Sequence, residues 1–460
     1  MGLKIQFVNH SSYVIDTCGV RLLCDPWIEG QVFDDGWALL SPTRFSYEDF
    51  GGITHVWFSH EHPDHFNPPN LRRIAPEHRR RITVLFQATR DHRVVEACRK
   101  LGFGAVRELE PGHTEELAPG FSIRCDPVEG FDDSWLLVKT PAGSVFNIND
   151  CAVFSREKAR RIKQSIGPID VLSTQFSISA WDANPEAVER RRAGARTMLE
   201  RAVMHCEEFA PRFVIPFASF IWFCHEENAY MNDAFLGIDE VECTLRTRSV
   251  TQPIVMYPGD EWLVETSHHS PSAVARYLKD QASIATRPLI RSTPVSPDEL
   301  MAASRTFCRD VLEGSNPLRL RLGRACRAFR DRSLCSPLEV RSAPRRCADL
   351  LRLWVARARL YVPDHHQSYV LSLEAGLRPA AFEPRECDVA VSSGALVNTF
   401  KFLWGGQTLQ INGRFREIRP DNRRPLFEIF SVAGWRKSGH TVRWSSTPRQ
   451  AARLAKRLYA

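Results

Sequence analysis

The chain has 460 residues, of which 43% are hydrophobic and 25% are charged. This composition is that of a folded globular protein and excludes a disordered chain, and the length predicts two domains rather than one. No apolar run approaches the roughly 18 residues that a membrane span requires, so no membrane partner is expected.

The 13 cysteines are scattered without Cys-x-x-Cys spacing, and their number is odd. This pattern favours reduced, packed thiols over a disulfide framework. Residues 1–9 read as a first β-strand and lack the long apolar stretch of a signal peptide. We therefore expect a cytoplasmic protein.

Charge is unevenly distributed along the chain, whose net charge is +7. Acidic residues outnumber basic ones over residues 1–265, whereas basic residues predominate over 266–460. We therefore place a domain boundary near residue 265, followed by a linker over 266–300 that is rich in serine, proline and polar groups. The chain contains no recognisable nucleic-acid-binding motif, so we expect no nucleic-acid partner.

The first part of the chain alternates between strand and helix patterns. Strands are predicted at 4–8, 12–16, 20–24, 55–59 and 82–87, then a helix at 91–101 that Gly102 ends. Strands at 121–125, 135–140 and 145–149 precede a helix at 155–166, a strand at 171–176, a helix at 185–209 capped by Asn184, and a strand at 212–218. This order predicts an α/β fold of two mixed sheets packed face to face with helices outside.

Residues 301–460 are predicted to form a basic α+β domain. Helices are expected at 301–312, 317–332, 346–360 and 448–458, and strands around 389–391, 399–404 and 408–415. The stretch 392–415 has a faint resemblance to sterol-carrier-like domains. A group of arginines is either a solvated helix face or a clamp for an anionic handle such as the phosphates of a coenzyme A thioester: Arg319, Arg321, Arg324, Arg327, Arg330 and Arg332.

The run His-x-His-x-Asp-His is the most informative motif of the chain. Its members His60, His62, Asp64 and His65 come directly after the strand-like stretch 53–58. A strand that ends there delivers them together onto one loop, where each neighbouring pair can hold one metal ion. Neutral imidazole suits zinc, iron and copper, and added carboxylates shift the preference toward iron or manganese. Two more histidines precede the motif in this region, His10 and His55.

A site for two metal ions also needs a bridging carboxylate and one further ligand for each ion. Asp150 follows the strand at 145–149 and is the natural bridge. His225 follows the strand at 212–218 and is expected to complete the second metal, with His205 of the long helix as its rival.

These residues resemble the metallo-β-lactamase superfamily. The segment 23–27, Leu-Cys-Asp-Pro-Trp, also matches that family's strand ending in Asp-Pro. More narrowly, the segments 25–37, 149–151 and 216–218 are similar to the non-Rieske domain of the CMP-N-acetylneuraminate hydroxylases. The resemblance covers roughly residues 1–265 and implies an αββα sandwich. Because this fold hosts many reactions, the fold alone does not identify the function.

The resemblance also contains a departure. Hydrolases of the superfamily usually place a third histidine between the motif and the bridging aspartate. Here the histidines of that interval are His78, His92 and His113, and none ends a strand at the right place. The expected position carries Glu129 as the best candidate, with His113 as the alternative. The implied first metal then has His60, His62, Glu129 and Asp150, and the second has Asp64, His65, Asp150 and His225.

A glutamate in place of the histidine is similar to the di-iron monooxygenases of natural-product biosynthesis, including the chloramphenicol-pathway β-hydroxylase and, as the closer match, the diterpenoid hydroxylase of the platensimycin and platencin pathways. This implies two iron ions, O2 as co-substrate, Asp150 and Glu129 as catalytic residues, and hydroxylation of a diterpenoid, in one form as its coenzyme A thioester. An external electron donor and a homodimeric assembly are further expected partners. The alternative is a dinuclear zinc hydrolase acting on a thioester, lactone or phosphodiester.

Overall fold

The structure is a computed structural model, and it describes residues 2–128, 133–313, 357–420 and 422–437. The chain divides into two compact units, Met1–Ile290 and Arg291–Ala460. Within the described residues, no helix combines the length and the apolar character needed to cross a membrane.

The first unit contains seventeen strands and seven α-helices among its described residues. The strands are β1 (Lys4–Asn9), β2 (Ser12–Thr17), β3 (Val20–Cys24), β4 (Gln31–Val32), β5 (Trp37–Leu39), β6 (His55–Phe58), β7 (Thr83–Gln87), β8 (Ala105–Leu109), β9 (Thr114–Ala118), β10 (Phe121–Pro127), β11 (Ser134–Thr140), β12 (Gly143–Asn149), β13 (Val171–Gln175), β14 (Phe213–Phe217), β15 (Ile221–Phe223), β16 (Gln252–Pro253) and β17 (Glu261–Leu263). The helices are α1 (Pro68–Arg73), α2 (Pro76–Arg79), α3 (Arg93–Leu101), α4 (Arg156–Ile166), α5 (Val188–Phe209), α6 (Ile238–Arg248) and α7 (Ser270–Ser283).

Two seven-stranded sheets organise this unit. The first has the order β17-β1-β2-β3-β6-β7-β8, and the second has the order β16-β14-β13-β12-β11-β10-β9. Both are mixed: β3, β6, β7 and β8 run parallel to one another, as do β12, β13, β14 and β16, and the remaining strands pair antiparallel. Because parallel strands end at the same edge of a sheet, the loops after β3 and β6 leave the same edge of the first sheet. The loop after β12 reaches the same place from the second sheet. A small third sheet has the order β15-β5-β4.

The two large sheets pack against each other through apolar side chains. Ile5 of β1 and Ile123 of β10 share one core cluster, and the Tyr13 hydroxyl of β2 meets the Ser173 hydroxyl of β13 at 3.1 Å. Helix α5 covers the other face of the second sheet, while α3 packs on the outer face of the first sheet. These layers form the helix–sheet–sheet–helix sandwich that the sequence predicts.

Helix α5 begins later than its sequence indicates. A helix from Pro185 with Asn184 as its N-cap is predicted, whereas the structure starts it at Val188. The buried guanidinium of Arg191 donates hydrogen bonds to the carbonyls of Asn184 and Pro185. Because these carbonyls accept hydrogen bonds from the arginine side chain, the residues before Val188 form a turn that is not part of the helix.

The boundary between the units differs from the predicted one. The predicted linker 266–300 contains α7, in which Ala273 and Tyr277, four residues apart, are buried in the core of the first unit. The units therefore separate after Ile290 and not near residue 265. The polar composition of this segment reflects the solvent-facing side of a helix, which a composition count does not separate from a linker.

The second unit is an α+β unit with a five-stranded sheet of order β20-β19-β18-β21-β22. Its strands are β18 (Ala358–Val362), β19 (Gln367–Ser372), β20 (Gly376–Ala380), β21 (Val389–Ala390) and β22 (Arg416–Glu417). Its described helices are α8 (Pro297–Glu313), α9 (Ser393–Lys401), α10 (Gly405–Asn412) and α11 (Arg424–Lys437).

Three predictions for this unit are contradicted wholly or in part, and three lie outside the described residues. The predicted strands at 399–404 and 408–415 are largely the helices α9 and α10. Ser392 caps α9 by accepting from the Ala395 amide, and Leu396 and Phe400, one helical turn apart, are buried. The predicted helix 346–360 overlaps the described residues only where β18 begins. The helices at 317–332 and 448–458 and the arginine group lie outside the described residues.

Candidate metal centre

The loop after β6 brings four ligand-type side chains together. His60 and His65 are 1% exposed, Asp64 is buried, and His62 is half-buried. The His60 Nε2 and His62 Nδ1 atoms lie 2.8 Å apart, and the His65 Nε2 and Asp64 Oδ2 atoms lie 3.2 Å apart. The motif therefore presents two converging pairs of metal-binding atoms, as its spacing predicts.

Asp150 lies between these pairs. It follows β12 in the second sheet, and its Oδ2 atom is 3.8 Å from both His60 Nε2 and His65 Nε2. A single carboxylate oxygen that is equidistant from one ligand of each pair is placed to connect two neighbouring ions.

Two groups of ligand atoms result, and in each the ligand atoms lie within 4.8 Å of one another. The first group consists of His60, His62 and Asp150. The second group consists of His10, Asp64 and His65.

The residues present fit two metal ions. The buried atoms Asp64 Oδ1, Asp150 Oδ1 and His10 Nδ1 have no hydrogen-bond partner in the structure. A buried polar atom without a partner is costly, and a site with three of them on two ligand groups needs bound cations or water. Imidazole nitrogens combined with carboxylate oxygens suit zinc and iron.

The charges of the second group are strongly coupled. Burial raises the pKa of Asp64, but His65 and His10 outweigh it and hold this pKa well below its usual value. Burial lowers the pKa of His65, but Asp64, Asp150 and Asp25 outweigh it and raise this pKa well above its usual value. For His10 burial dominates and lowers the pKa. The carboxylates are therefore ionised and His65 holds a proton that a metal ion must displace.

The first group contains the other shifted carboxylate. Burial raises the pKa of Asp150, but His60 and His65 outweigh it, so the net pKa is lowered. Asp150 is thus an anion at neutral pH, as a bridging ligand must be.

Asp25 supports the second group from behind. His65 donates from Nδ1 to Asp25 Oδ2 at 3.1 Å, and the other carboxylate oxygen accepts from the Ser59 amide at 2.7 Å. The side-chain amide of Asn149 also donates to Asp25. Because Nδ1 is engaged in this way, Nε2 of His65 is the nitrogen that faces Asp64 and Asp150. A carboxylate that orients a metal-binding histidine is a recurring feature of metal sites.

The backbone is strained where these side chains leave their strands. His10, Asp25 and Asn149 have φ values of 41°, 41° and 54°, in the left-handed region that non-glycine residues seldom occupy. They follow β1, follow β3 and end β12. Such conformations persist where surrounding contacts hold them, and they cluster at functional sites.

His10 is a ligand candidate that sequence reasoning did not assign. It follows β1, and its backbone carbonyl accepts from the Ala218 amide at 2.8 Å. Its Nε2 atom lies 3.4 Å from Asp64 Oδ2. The sequence signal that indicates His10 is its position directly after the first strand. Strands β1 and β3 are both antiparallel to β2, so they end at the same edge of the sheet.

His225 was predicted to complete the second metal, and the structure does not bring it into either group. It follows β15, where its Nδ1 accepts from the Glu227 amide at 3.1 Å and lies 3.6 Å from the Glu227 carboxylate. After β14 the chain turns into β15, which pairs with β5 in the small third sheet. Among the described residues, the second group contains His10 instead.

The other predicted ligand candidates do not belong to either group of described residues. His113 is exposed in the turn between β8 and β9, His92 pairs with Glu108 at 2.7 Å, and His78 lies 3.7 Å from Glu48. His205 is buried on α5 and belongs to neither group. Glu129 lies outside the described residues, in the interval between Val128 and Asp133.

The family model described as "Beta-lactamase superfamily domain" matches residues 20–217. Together with the two-sheet sandwich, this match shows that the first unit has the metallo-β-lactamase fold.

Curated relatives match over part of their length. The chain is 25% identical to a protein of Mycolicibacterium smegmatis named as a Rieske 2Fe-2S iron-sulfur protein, over 39% of this chain and 35% of that protein. It is 21% identical to the cytidine monophosphate-N-acetylneuraminic acid hydroxylase of Mus musculus, over 50% of this chain and 41% of that enzyme. The chain thus spans less than half of the length of these two relatives.

Among solved structures, CmlA, a diiron β-hydroxylase from Streptomyces venezuelae, is similar at 18% identity and a TM-score of 0.41, over 57% of this chain and 54% of that one. Igni18, a metallo hydrolase from Ignicoccus hospitalis, is similar at 16% identity and a TM-score of 0.40, over 58% of this chain and all of that one. Similarities at this level do not distinguish between hydroxylase and hydrolase.

Proposed function

We propose that the metallo-β-lactamase-fold unit of this chain is a non-haem di-iron monooxygenase that hydroxylates a C–H bond of a small molecule. With two bound iron ions and two electrons from an external donor, one atom of O2 enters the substrate as hydroxyl and the other leaves, with two protons, as water.

The observation that carries this proposal is the ligand set of the first group. Among the described residues, no histidine between the motif and Asp150 contributes to either group, and His113, the alternative expected for a hydrolase, is exposed elsewhere. By resemblance, zinc hydrolases of this fold use a third histidine there. Its absence from the described part of the site favours a carboxylate at that position, and anionic oxygen ligands favour iron over zinc.

Glu129 is the carboxylate that we assign to this position. It lies in the short connection between β10 and β11, whose flanking residues Pro127 and Ser134 pair with each other. The Ser134 hydroxyl donates to the Ser59 carbonyl at 2.6 Å, directly beside His60. Ser134, the described residue at which β11 begins, therefore lies beside the first group, and this is what supports the assignment.

The chain's own residues then prepare the site. Asp150 joins the two groups, and Asp25 holds His65 with Nε2 toward them. Phe33 lies with its ring centroid 5.8 Å from the ring of His62, and Trp27 lies 5.7 Å from the ring of His10. These apolar rings exclude water from two sides.

The open side of the centre indicates where a substrate approaches. The Asp150 side chain is 20% exposed and His62 is half-buried, whereas the His10 side chain is 2% exposed. The substrate carbon is therefore expected to reach the centre at the first group.

The curated relatives support an oxidative reaction, since one is named as a hydroxylase and another as an iron-sulfur protein. An electron-transfer partner is consistent with the need for external electrons. A diterpenoid, free or as its coenzyme A thioester, stays the predicted substrate from the sequence resemblance.

Metal analysis with a matched pair of variants tests the proposal. Protein prepared without oxygen is loaded with Fe(II), and its iron content, Mössbauer spectrum and reductant-dependent O2 uptake are measured. We expect two coupled irons per chain in the wild type, a lower content in Glu129→Gln, and an unchanged content in His113→Gln. Two zinc ions per chain, with neither iron binding nor O2 uptake, would contradict the proposal and favour the hydrolase.

A further inference from the structure

The face of α5 that is turned toward the metal centre carries two buried polar residues one helical turn apart. Arg201 is 9% exposed and His205 is 1% exposed. The other buried residues of this stretch, such as Leu199, Val203 and Phe209, join the apolar core. Polar side chains are costly to bury unless they make specific contacts, so the contacts of this pair are informative.

His205 joins two segments that flank Asp150. Its Nδ1 atom lies 2.9 Å from the Thr174 hydroxyl, and its Nε2 atom lies 2.9 Å from the Val153 carbonyl. Because a carbonyl only accepts, Nε2 carries the proton and Nδ1 accepts from the threonine. Burial and the nearby Arg201 lower the pKa of His205 to about 3, so the ring is neutral and both bonds persist at working pH.

The two partners of His205 bracket the shared carboxylate. Val153 comes three residues after Asp150, in the segment that leaves β12. Thr174 of β13 pairs with Asn149, the residue directly before Asp150. The β12–β13 register shifts between Asn147 and Asn149, so this strand end is irregular and depends on side-chain contacts for its position.

Arg201 extends the same connection toward the second group. Its Nη2 atom donates to Gln175 Oε1 at 2.5 Å, and Gln175 Nε2 donates to the Ala218 carbonyl at 3.4 Å. The Ala218 amide in turn donates to the His10 carbonyl. A chain of hydrogen bonds therefore runs from α5 to the backbone of a second-group ligand.

We propose that His205 and Arg201 are positioning residues, which hold the segment around Asp150 and the end of β14 so that the two metal groups keep their separation. His205 acts mainly on the first group through Asp150. This inference rests on the dinuclear centre of the proposed function but not on iron or on oxygen chemistry.

Zinc titration of the metal-free full-length protein by calorimetry tests the inference. In His205→Leu, both hydrogen bonds are lost. We expect zinc affinity at the first group to fall about 10- to 100-fold, which is the typical effect of removing a residue that supports a metal ligand from outside. The second group should retain its affinity. His205→Gln can donate to Val153 and accept from Thr174, so it should restore the first group.

Combined variants identify which group has weakened. The zinc ion that remains in His205→Leu should disappear when Asp64→Asn is added and should persist when His62→Gln is added. His268→Gln, in a half-buried histidine outside both groups, is the control and should bind zinc as the wild type does. If His205→Leu does not fold, Thr174→Val removes the same contact from the other side and should weaken the first group alone.

Unchanged zinc affinity in a folded His205→Leu protein would overturn the inference. It would also be overturned if His205→Gln and His205→Leu both lowered zinc affinity equally at the first and the second group. If iron binding and O2 uptake fail while the zinc results hold, the proposed oxygenase fails and the positioning role stands.

Discussion

The two metal groups use similar side chains in different surroundings. The second group is enclosed: the side chains of His10, Asp64 and His65 are 2%, 5% and 1% exposed, and Asp25 supports it from behind. The first group is open, because Asp150 is 20% exposed and His62 is half-buried. Among the described residues, each group has two histidines and one aspartate, so the types of these side chains do not separate the groups. Burial does.

This difference assigns the groups different tasks. An enclosed, carboxylate-supported group is suited to hold its ion firmly, whereas an open group has room for a substrate beside its ion. Asp150 connects the two. A substitution of a residue shared by both groups should therefore lower metal binding most. A substitution that affects one group should lower it less, and one beside the open side of a group should lower it least.

Asp150→Ala should have the largest effect because it removes the residue that both groups share. We expect the chain to lose its paired metal centre, with affinity lowered about 100-fold or more, beyond the effect of outer contacts. Metal content after dialysis and the Mössbauer signal of coupled iron measure this. If the variant still held two coupled ions, Asp150 would not be the bridging ligand.

His10→Ala and His225→Ala compare the candidate ligand that lies in the second group with the ligand predicted from the sequence. Loss of His10 should reduce metal content toward one ion per chain, with affinity lowered about 100-fold or more. Loss of His225 should leave metal content unchanged. The reverse result would restore the assignment made from the sequence.

Asp25→Asn should weaken the second group alone. The amide cannot stabilise the proton on His65 as a carboxylate does, so we expect metal affinity there to fall about 10- to 100-fold. Zinc titration separates the two groups, with Asp91→Asn, near the surface, as the control. An equal loss at both groups would mean that Asp25 supports the whole fold of the site.

The pH dependence should also distinguish the groups. Because the pKa of His65 is raised in the metal-free protein, metal binding must release its proton below that pKa. Affinity of the second group should thus rise by about one logarithmic unit per pH unit until pH exceeds the raised pKa, then level off. Calorimetry in buffers of different ionisation enthalpy counts the protons. No proton release would contradict the raised pKa.

Phe33→Leu should have the smallest effect. It removes the ring contact with His62 and should lower the stability of the metal-loaded protein by about 0.5–1.5 kcal/mol. Thermal unfolding measures this, and zinc binding at the second group should not change. If Phe33→Leu lowered zinc affinity more at the second group than at the first, the two groups would not behave independently.

The sandwich and the position of Asp150 at a strand end follow from local patterns of apolar residues and turns. The sequence predicts strands where parts of α9 and α10 form, because short apolar stretches suit either form until tertiary packing selects one. The start of α5 was misplaced because Arg191, several residues later, engages the carbonyls that would have opened the helix.

For the metal centre, the sequence by itself determined the ligands that lie close together in the chain. His60, His62, Asp64 and His65 share one loop, so their proximity requires no long-range contact. The grouping of His10 with Asp64 and His65 is visible only in the tertiary structure, whereas the sequence predicts His225 as the further ligand, with His205 as its rival. Both His10 and His225 follow a strand, but His10 lies 3.4 Å from Asp64, whereas His225 follows β15 of the small third sheet and belongs to neither group of described residues. A metal site closes through contacts between distant segments, and their distances are set by the packing of the sheets.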